Sequence, residues 1–284
     1  MNIITEIKNS VYNPAYYQDV VSNKSFGSSV KYLAKLALIS SLAISIFFAF
    51  QIPKVSKIAK EAISTSVVSY PEDLVVTMKN GNASINKPEP YIVKIPQSWQ
   101  NIGDNDSSNL DNLIVINTKD DFNLETFRGY STMVLLTKTE FISLKDSSGE
   151  IRIIPVSKFG NIEITKSWLI EKQAWIFKIM PKVAVLIIIF MYIAISIGIF
   201  LGTLFMLLFY ALAIWLMSNL RKLNFSYKKS YQVGLHAVTL VVIVGIISTI
   251  LSIPDNFFIR LLVLLCVVFL NFPKVSSSAD IAKS

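Results

Sequence analysis

Long apolar runs alternate with polar stretches along the chain, and their lengths predict membrane-spanning helices. A helix needs about 20 predominantly apolar residues to cross the hydrocarbon core of a bilayer. We predict spans at residues 33–52, 181–217, 233–253 and 257–272. The last run is short and contains Arg260, so we expect that span to begin near the membrane surface.

The longest run leaves two structures open. Residues 183–217 carry no charged side chain, and as one helix they would extend about 52 Å. Because the hydrocarbon core is about 30 Å thick, one projecting helix and a hairpin of two short spans both fit. The run offers no polar turn that would satisfy the backbone groups of a hairpin in lipid. One long helix is therefore favoured.

Residues 53–180, between the first two predicted spans, have the pattern of a small antiparallel sheet between two helices. The helices are predicted over 54–65 and 163–180, and Asn80-Gly81 and Ser148-Gly149 are typical hairpin turns. Strands are predicted at residues 74–78, 91–95, 113–116, 133–136, 140–144 and 151–155. The predicted fold class is an α-helical membrane protein with four transmembrane helices plus an extracytoplasmic α+β domain inserted between spans 1 and 2.

The positions of the charged residues predict the orientation. The net charge is +8, yet residues 53–178 carry 15 basic and 15 acidic side chains, so the excess lies beside the apolar runs. The loop 218–232 carries four basic and no acidic side chains. Since Lys and Arg favour the cytoplasmic side, we predict that residues 53–180 lie outside. Both termini are then cytoplasmic, as the segments 1–32 and 273–284.

The N-terminal segment carries an apolar face formed by Ile3, Ile4, Ile7 and Val11. Such a face predicts a short helix that lies on the inner leaflet of the membrane. Asn13-Pro14 is expected to end this helix.

Composition narrows the class of protein. Hydrophobic residues make up 52% of the chain and charged residues 16%, whereas soluble domains carry about 25% charged residues. We therefore expect a multi-pass protein of the bacterial cytoplasmic (inner) membrane. Nucleic-acid binding is not expected, because the basic excess forms no stripe within a folded domain. A single cysteine, Cys266, excludes a disulfide framework and a Cys-based zinc site.

An acidic loop offers oxygen ligands of the kind that Ca²⁺ prefers, from Asp104, Asp106, Ser108 and Asp111. The EF-hand pattern fails, because Asn109 stands at the required glycine and the terminal glutamate is also absent. We expect a solvated loop here and predict no catalytic, cofactor-binding or metal-binding residues.

Two features lie within the predicted spans. His236 is the chain's one histidine, and an ionisable side chain within a membrane is a candidate functional group. The alternative is a hydrogen bond between helices, since no span contains Asp or Glu. Gly198 and Gly202 form a GxxxG motif, which lets helices approach closely. That contact would lie within the chain or between copies, and lipid exposure is the alternative.

Several short motifs resemble the bacterial membrane proteins of domain-of-unknown-function family 1189, across essentially the whole chain. The motif positions, which are also candidate binding residues, are Asn13, Pro14, Tyr17, Tyr70, Pro71, Glu89, Pro90 and Tyr91. The last three spans also look distantly like the Yip1-type membrane proteins, which are associated with trafficking. These resemblances imply a multi-span envelope protein and bring no catalytic residues. Some family members carry a maltodextrin-utilisation label, which suggests a transport accessory.

The expected function is a non-enzymatic binding, scaffold or accessory role in the bacterial envelope. The expected partners are the lipid bilayer and either a protein partner or further copies of the chain. A component of a transport system, with carbohydrate as one candidate substrate, is the alternative. An enzyme that uses the outer carboxylates has the weakest support.

Overall fold

The computed structural model describes residues 2–96, 110–120, 122–145, 150–254 and 256–272. The helices are α1 (Ile3–Val11), α2 (Pro14–Ser22), α3 (Phe26–Ala49), α4 (Ile52–Ser69), α5 (Leu124–Gly129), α6 (Lys166–Leu220), α7 (Tyr227–Ile250) and α8 (Phe257–Asn271). The strands are β1 (Val76–Lys79), β2 (Asn82–Ile85), β3 (Tyr91–Lys94), β4 (Asn112–Ile116), β5 (Thr132–Leu136), β6 (Glu140–Leu144), β7 (Ile151–Pro155) and β8 (Ile162–Ile164). The chain divides into a helical unit, residues 1–53 with 182–284, and a sheet unit, residues 54–181.

Among the described residues, three helical segments are long and apolar enough to cross a membrane. They are Phe26–Ser69, which joins α3 and α4, and the helices α6 and α7. Helix α8 is apolar but shorter, with 15 residues. Helices α3 and α7 begin about two turns before the apolar runs, because the side chains of Ser25 and Ser226 cap them by accepting backbone N–H groups.

Helix α6 is continuous over 55 residues and contains Pro181. The hairpin alternative for residues 183–217 is therefore wrong. The separate helix predicted over 163–180 is the first part of α6, which starts at Lys166 because Ile162–Ile164 forms strand β8.

The described residues of the sheet unit form two sheets. Strands β2, β1 and β8 form an antiparallel sheet, and strands β3 to β7 form a second sheet in sequence order. The prediction of an antiparallel sheet is wrong for one pair, because β4 and β5 are parallel. A crossover that contains α5 joins them, as a parallel pair requires. The predicted Asn80-Gly81 turn joins β1 to β2 with positive φ at both residues, whereas Ser148-Gly149 lies outside the described residues.

Both faces of the five-stranded sheet pack against other elements. One face packs on the smaller sheet around a core that includes Val76, Met78, Ile116 and Leu136. On the other face, Phe127 of α5 packs on Val115, Leu135 and Ile142. The sheet unit therefore has two hydrophobic cores of its own.

The helical unit is built around α7, which packs against α1, α2, α3 and α8. Side chains of α6 complete the core, with Leu207 and Ile214 fully buried. Helix α1 matches the predicted N-terminal helix. After it, Asn13-Pro14 starts α2.

Candidate functional site

A buried polar cluster surrounds His236, whose side chain is fully buried in α7. Its Nδ1 atom lies 2.9 Å from the hydroxyl of Tyr16 on α2, and its Nε2 atom lies 3.0 Å from the hydroxyl of Ser29 on α3. The ring of Tyr32, also on α3, stacks on the imidazole with centroids 4.7 Å apart. The histidine thus ties three helices together through hydrogen bonds and ring contacts.

Two further side chains of α7 extend this cluster. The amide of Gln232 donates to the Lys24 carbonyl oxygen at 2.8 Å. The hydroxyl of Thr239 lies 2.7 Å from that of Tyr32 and donates to the His236 carbonyl oxygen. Because residues 232, 236 and 239 are four and three positions apart, they share one helix face. One polar stripe on α7 therefore faces α2, α3 and the segment between them.

The N-terminal motif positions stabilise the helices that meet at this cluster. Asn13 caps α2, and its backbone N–H donates to Asn271 Oδ1 on α8 at 2.6 Å. Pro14 occupies the first turn of α2, where a missing N–H costs nothing. Tyr17 is fully buried, and its hydroxyl donates to the Ser10 carbonyl oxygen at 2.6 Å. Asn13, Pro14 and Tyr17 thus fix the junction of α1, α2 and α8.

The charged groups nearest the cluster are Lys24 and Glu6. The ammonium of Lys24 lies 4.0 Å from the centroid of the Tyr16 ring and 3.5 Å from a carboxylate oxygen of Glu6. Burial raises the pKa of Tyr16 to about 12, although the Ser10 hydroxyl opposes this effect. Burial also raises the pKa of Tyr17 well above its ordinary value. Both phenols are therefore neutral at pH 7.

This geometry favours a structural role over catalysis for His236. In a neutral imidazole one nitrogen donates and the other accepts, and hydroxyl groups can serve either nitrogen. Among the described residues, both ring nitrogens contact hydroxyl groups and neither contacts a carboxylate. The described residues also contain no group of three or more His, Cys, Asp or Glu side chains that could hold a metal ion.

A second group of motif positions lies in the sheet unit, beside β3. The carboxylate of Glu89 accepts hydrogen bonds from the backbone N–H and the hydroxyl of Thr118, which follows β4. Pro90 follows Glu89 through a cis peptide bond. Tyr91 then starts β3, pairs with Ile116 and packs on the core between the two sheets. These three positions thus fix the start of β3 beside the end of β4.

Tyr70 and Pro71 lie at the end of α4. The Tyr70 hydroxyl donates to the Ile164 carbonyl oxygen at 3.0 Å, and burial raises the pKa of Tyr70 to about 12. The Pro71 carbonyl oxygen accepts from the Leu74 N–H. A hydrogen bond from Lys87 lowers the pKa of Asp73 and joins this segment to the one before Glu89. The segments that contain Pro71 and Pro90 therefore lie close together in space, and their contacts stabilise the fold.

The GxxxG motif lies apart from both groups. No atom of another described element lies within 4 Å of a Cβ built on Gly198 or Gly202, and both glycines are exposed. Their contact with another copy stays a prediction. Helix α6 instead approaches α7 at Gly234, where an added Cβ would lie 2.7 Å from Leu207 Cδ2.

The acidic loop is only partly described. Asp104, Asp106 and Ser108 lie outside the described residues, and the Asp111 N–H donates to the Ser131 carbonyl oxygen.

The sequence indicated His236 but not its partners Tyr16, Ser29 and Tyr32. Those partners lie more than 200 positions away along the chain, so no local spacing connects them to His236. The polar stripe at 232, 236 and 239 was the available signal, since it interrupts an apolar helix at helical spacing.

Comparison with known proteins places the whole described architecture in one family. The family model described as "Protein of unknown function (DUF1189)" matches residues 5–272. No match to this chain was found among curated proteins or among solved structures. Because the matched region includes both the helical unit and the sheet unit, the chain belongs to the DUF1189 family.

Proposed function

We propose that this protein is a multi-pass protein of the bacterial cytoplasmic membrane whose sheet unit lies outside and binds a protein partner of the envelope. In this proposal α3, α6, α7 and α8 cross the membrane, and both termini are cytoplasmic. The role is binding or scaffolding rather than catalysis. A component of a transport system, with carbohydrate as one candidate substrate, is the alternative.

The observation that carries the proposal is a row of apolar side chains across the five-stranded sheet. Strand register aligns Ile92, Val115, Leu135, Ile142 and Ile153 on one face. The three central residues are buried, and Phe127 of α5 packs on them. The two residues at the ends, on the edge strands β3 and β7, are each 43% exposed.

Further apolar side chains are exposed on the same face. Met133 lies two positions before Leu135 on β5 and is 39% exposed, and Leu124 on α5 is 40% exposed. Scattered single apolar residues are normal on protein surfaces, whereas large contiguous apolar patches mark interaction sites. We therefore assign the partner to the surface formed by the two exposed ends of the row and these two neighbours. We call this surface, Ile92, Leu124, Met133 and Ile153, the outer apolar face.

Photocrosslinking in intact cells tests this assignment. A photoreactive amino acid replaces Ile153 in the full-length protein, and we expect a discrete crosslinked product because this position lies on the outer apolar face. The matched control is Arg152, which is exposed on the same strand but points to the opposite sheet face. It should give no such product.

Identical products at positions 152 and 153, or no product at either, would contradict the assignment. The identity of the crosslinked protein separates the two functions. A transport subunit would support the alternative, and an envelope protein without transport activity would support the scaffold.

A further inference from the structure

An apolar groove of about 570 Å³ runs along α8 in the helical unit. Met217 of α6 lines one side, and α8 contributes Leu262, Leu265, Cys266 and Phe269 among others. The groove is shallow and open along one side rather than enclosed. In a bilayer, the molecules available to such an apolar groove are lipids with their acyl chains.

A cationic side chain lies at one end of this groove. Arg221 follows Met217 by one helical turn, and its Nη1 donates to the Phe269 carbonyl oxygen at 2.9 Å. Its guanidinium carbon also lies 4.3 Å from the centroid of the Phe269 ring. Since Phe269 lines the groove, the same residue joins the apolar wall to the positive charge.

The backbone fixes this position at the end of α6. The Leu223 N–H donates to the Ser218 carbonyl oxygen at 2.8 Å, and the Lys222 N–H donates to the Asn219 carbonyl oxygen at 3.0 Å. Lys222 has a φ of +61°. These features define a Schellman motif with Arg221 as the last residue before the left-handed turn. The guanidinium is therefore held at the groove by both its backbone and its ring contact.

Among the described residues, no Asp or Glu forms an ion pair with Arg221. Residues 172–254 contain no Asp or Glu. A guanidinium has five N–H donors, of which the Phe269 carbonyl uses one. The remaining donors have the planar arrangement that binds phosphate oxygens in pairs.

We propose that this groove binds one anionic phospholipid of the bilayer, with an acyl chain along α8 and the phosphate on Arg221. Basic pockets between membrane helices on the cytoplasmic side are typical sites for anionic lipid head groups. The proposal requires that the helical unit lies in a bilayer. It does not depend on the partner proposed for the sheet unit.

Native mass spectrometry of the purified full-length protein in detergent tests the site. Dioleoyl phosphatidylglycerol and dioleoyl phosphatidylcholine have the same acyl chains and differ in head-group charge. We expect the first lipid to bind about fivefold more tightly, which is the factor for one basic residue near an anionic lipid. Arg221→Gln should remove the difference.

Two further variants locate the lipid. Lys228→Gln removes a charge from the first turn of α7, where the ammonium lies 6.0 Å from the centroid of the Phe26 ring of α3, so the preference should persist. Leu262→Trp, at a residue that lines the groove and is 63% exposed, should fill the groove and weaken the binding of both lipids. If Arg221→Gln does not fold, Arg221→Lys keeps the charge without the paired geometry and should reduce the preference.

Three results would overturn the proposal: equal affinity of the wild-type protein for both lipids, a preference that survives substitution of Arg221, or unchanged binding in Leu262→Trp. None of them bears on the sheet unit, because the assay contains no protein partner.

Discussion

His236 shows how a side chain that is costly to bury in an apolar helix can be accommodated by hydroxyl groups. A buried polar atom without a partner costs about 1–3 kcal/mol. Tyr16 and Ser29 contact the two ring nitrogens, and Tyr32 covers one face of the ring. Because Tyr16 belongs to α2, the imidazole also attaches the N-terminal helices to α7. The cluster therefore acts as a clamp between helices.

Tyr16→Phe tests the clamp. The substitution keeps the ring but removes the hydroxyl from His236 Nδ1, so we expect the free energy of unfolding to fall by about 1–3 kcal/mol. It is measured by denaturant titration in mixed micelles. The control is Tyr12→Phe, at a tyrosine that is 63% exposed, where a change within about 0.5 kcal/mol is expected. Equal effects of the two substitutions would argue against the clamp.

At the scale of elements, the sequence predicts where helices and strands lie better than it predicts which of them pair. All six predicted strands are present, two with the predicted bounds and four with ends shifted by one or two residues, because short apolar runs between turn residues indicate strands directly. The parallel pair β4–β5 was not predicted, since such a run carries no information about the direction of a partner strand. Strand β8 has only three residues and β2 only four, too few for a clear periodic signal.

The packing of α6 on α7 is the clearest case in which a sequence motif predicts a contact at one position and the structure has it at another. A motif of small residues predicted close approach at Gly198 and Gly202, yet a Cβ on either would meet no other described element. The close approach occurs at Gly234, beside the fully buried Leu207 and Ile214. An isolated glycine gives no spacing pattern, so the sequence alone did not indicate it.

Gly234→Ile should therefore destabilise the helical unit. The new side chain would overlap Leu207 in a filled core, and overpacking of this kind costs about 1–3 kcal/mol. The same substitution at Gly198 or Gly202 is the matched control and should leave the free energy of unfolding nearly unchanged. Denaturant titration measures the free energy of unfolding of each variant, and light scattering measures its oligomer size. A smaller oligomer in the Gly198→Ile variant would reveal a contact between copies, and an unaffected Gly234→Ile variant would refute the packing argument.

At the scale of the whole molecule, composition and charge carry most of what the sequence predicts. The apolar runs predict the long helices, and the balanced charge of residues 53–178 predicts a folded unit between them. The structure has that unit, with two cores of its own. The His236 cluster was beyond prediction, because it requires residues from both ends of the chain to meet. Local patterns thus predict the units, and long-range packing determines the site.

The same charges predict the orientation of the chain, and this prediction can be tested directly. Basic segments resist transfer across the membrane, so the loop after α6 should be cytoplasmic and the sheet unit external. In a Cys266→Ser background, single cysteines replace Glu125 in the sheet unit, Lys228 in the first turn of α7 and Gln18 in α2, all of which are exposed. An impermeant maleimide added to intact cells should label position 125 alone, and after lysis it should label all three. Labelling of 228 or 18 in intact cells, or protection of 125, would require a different topology. Since α6 separates residue 125 from residue 228 as one continuous helix, opposite labelling of these two positions would also indicate that α6 crosses the membrane once.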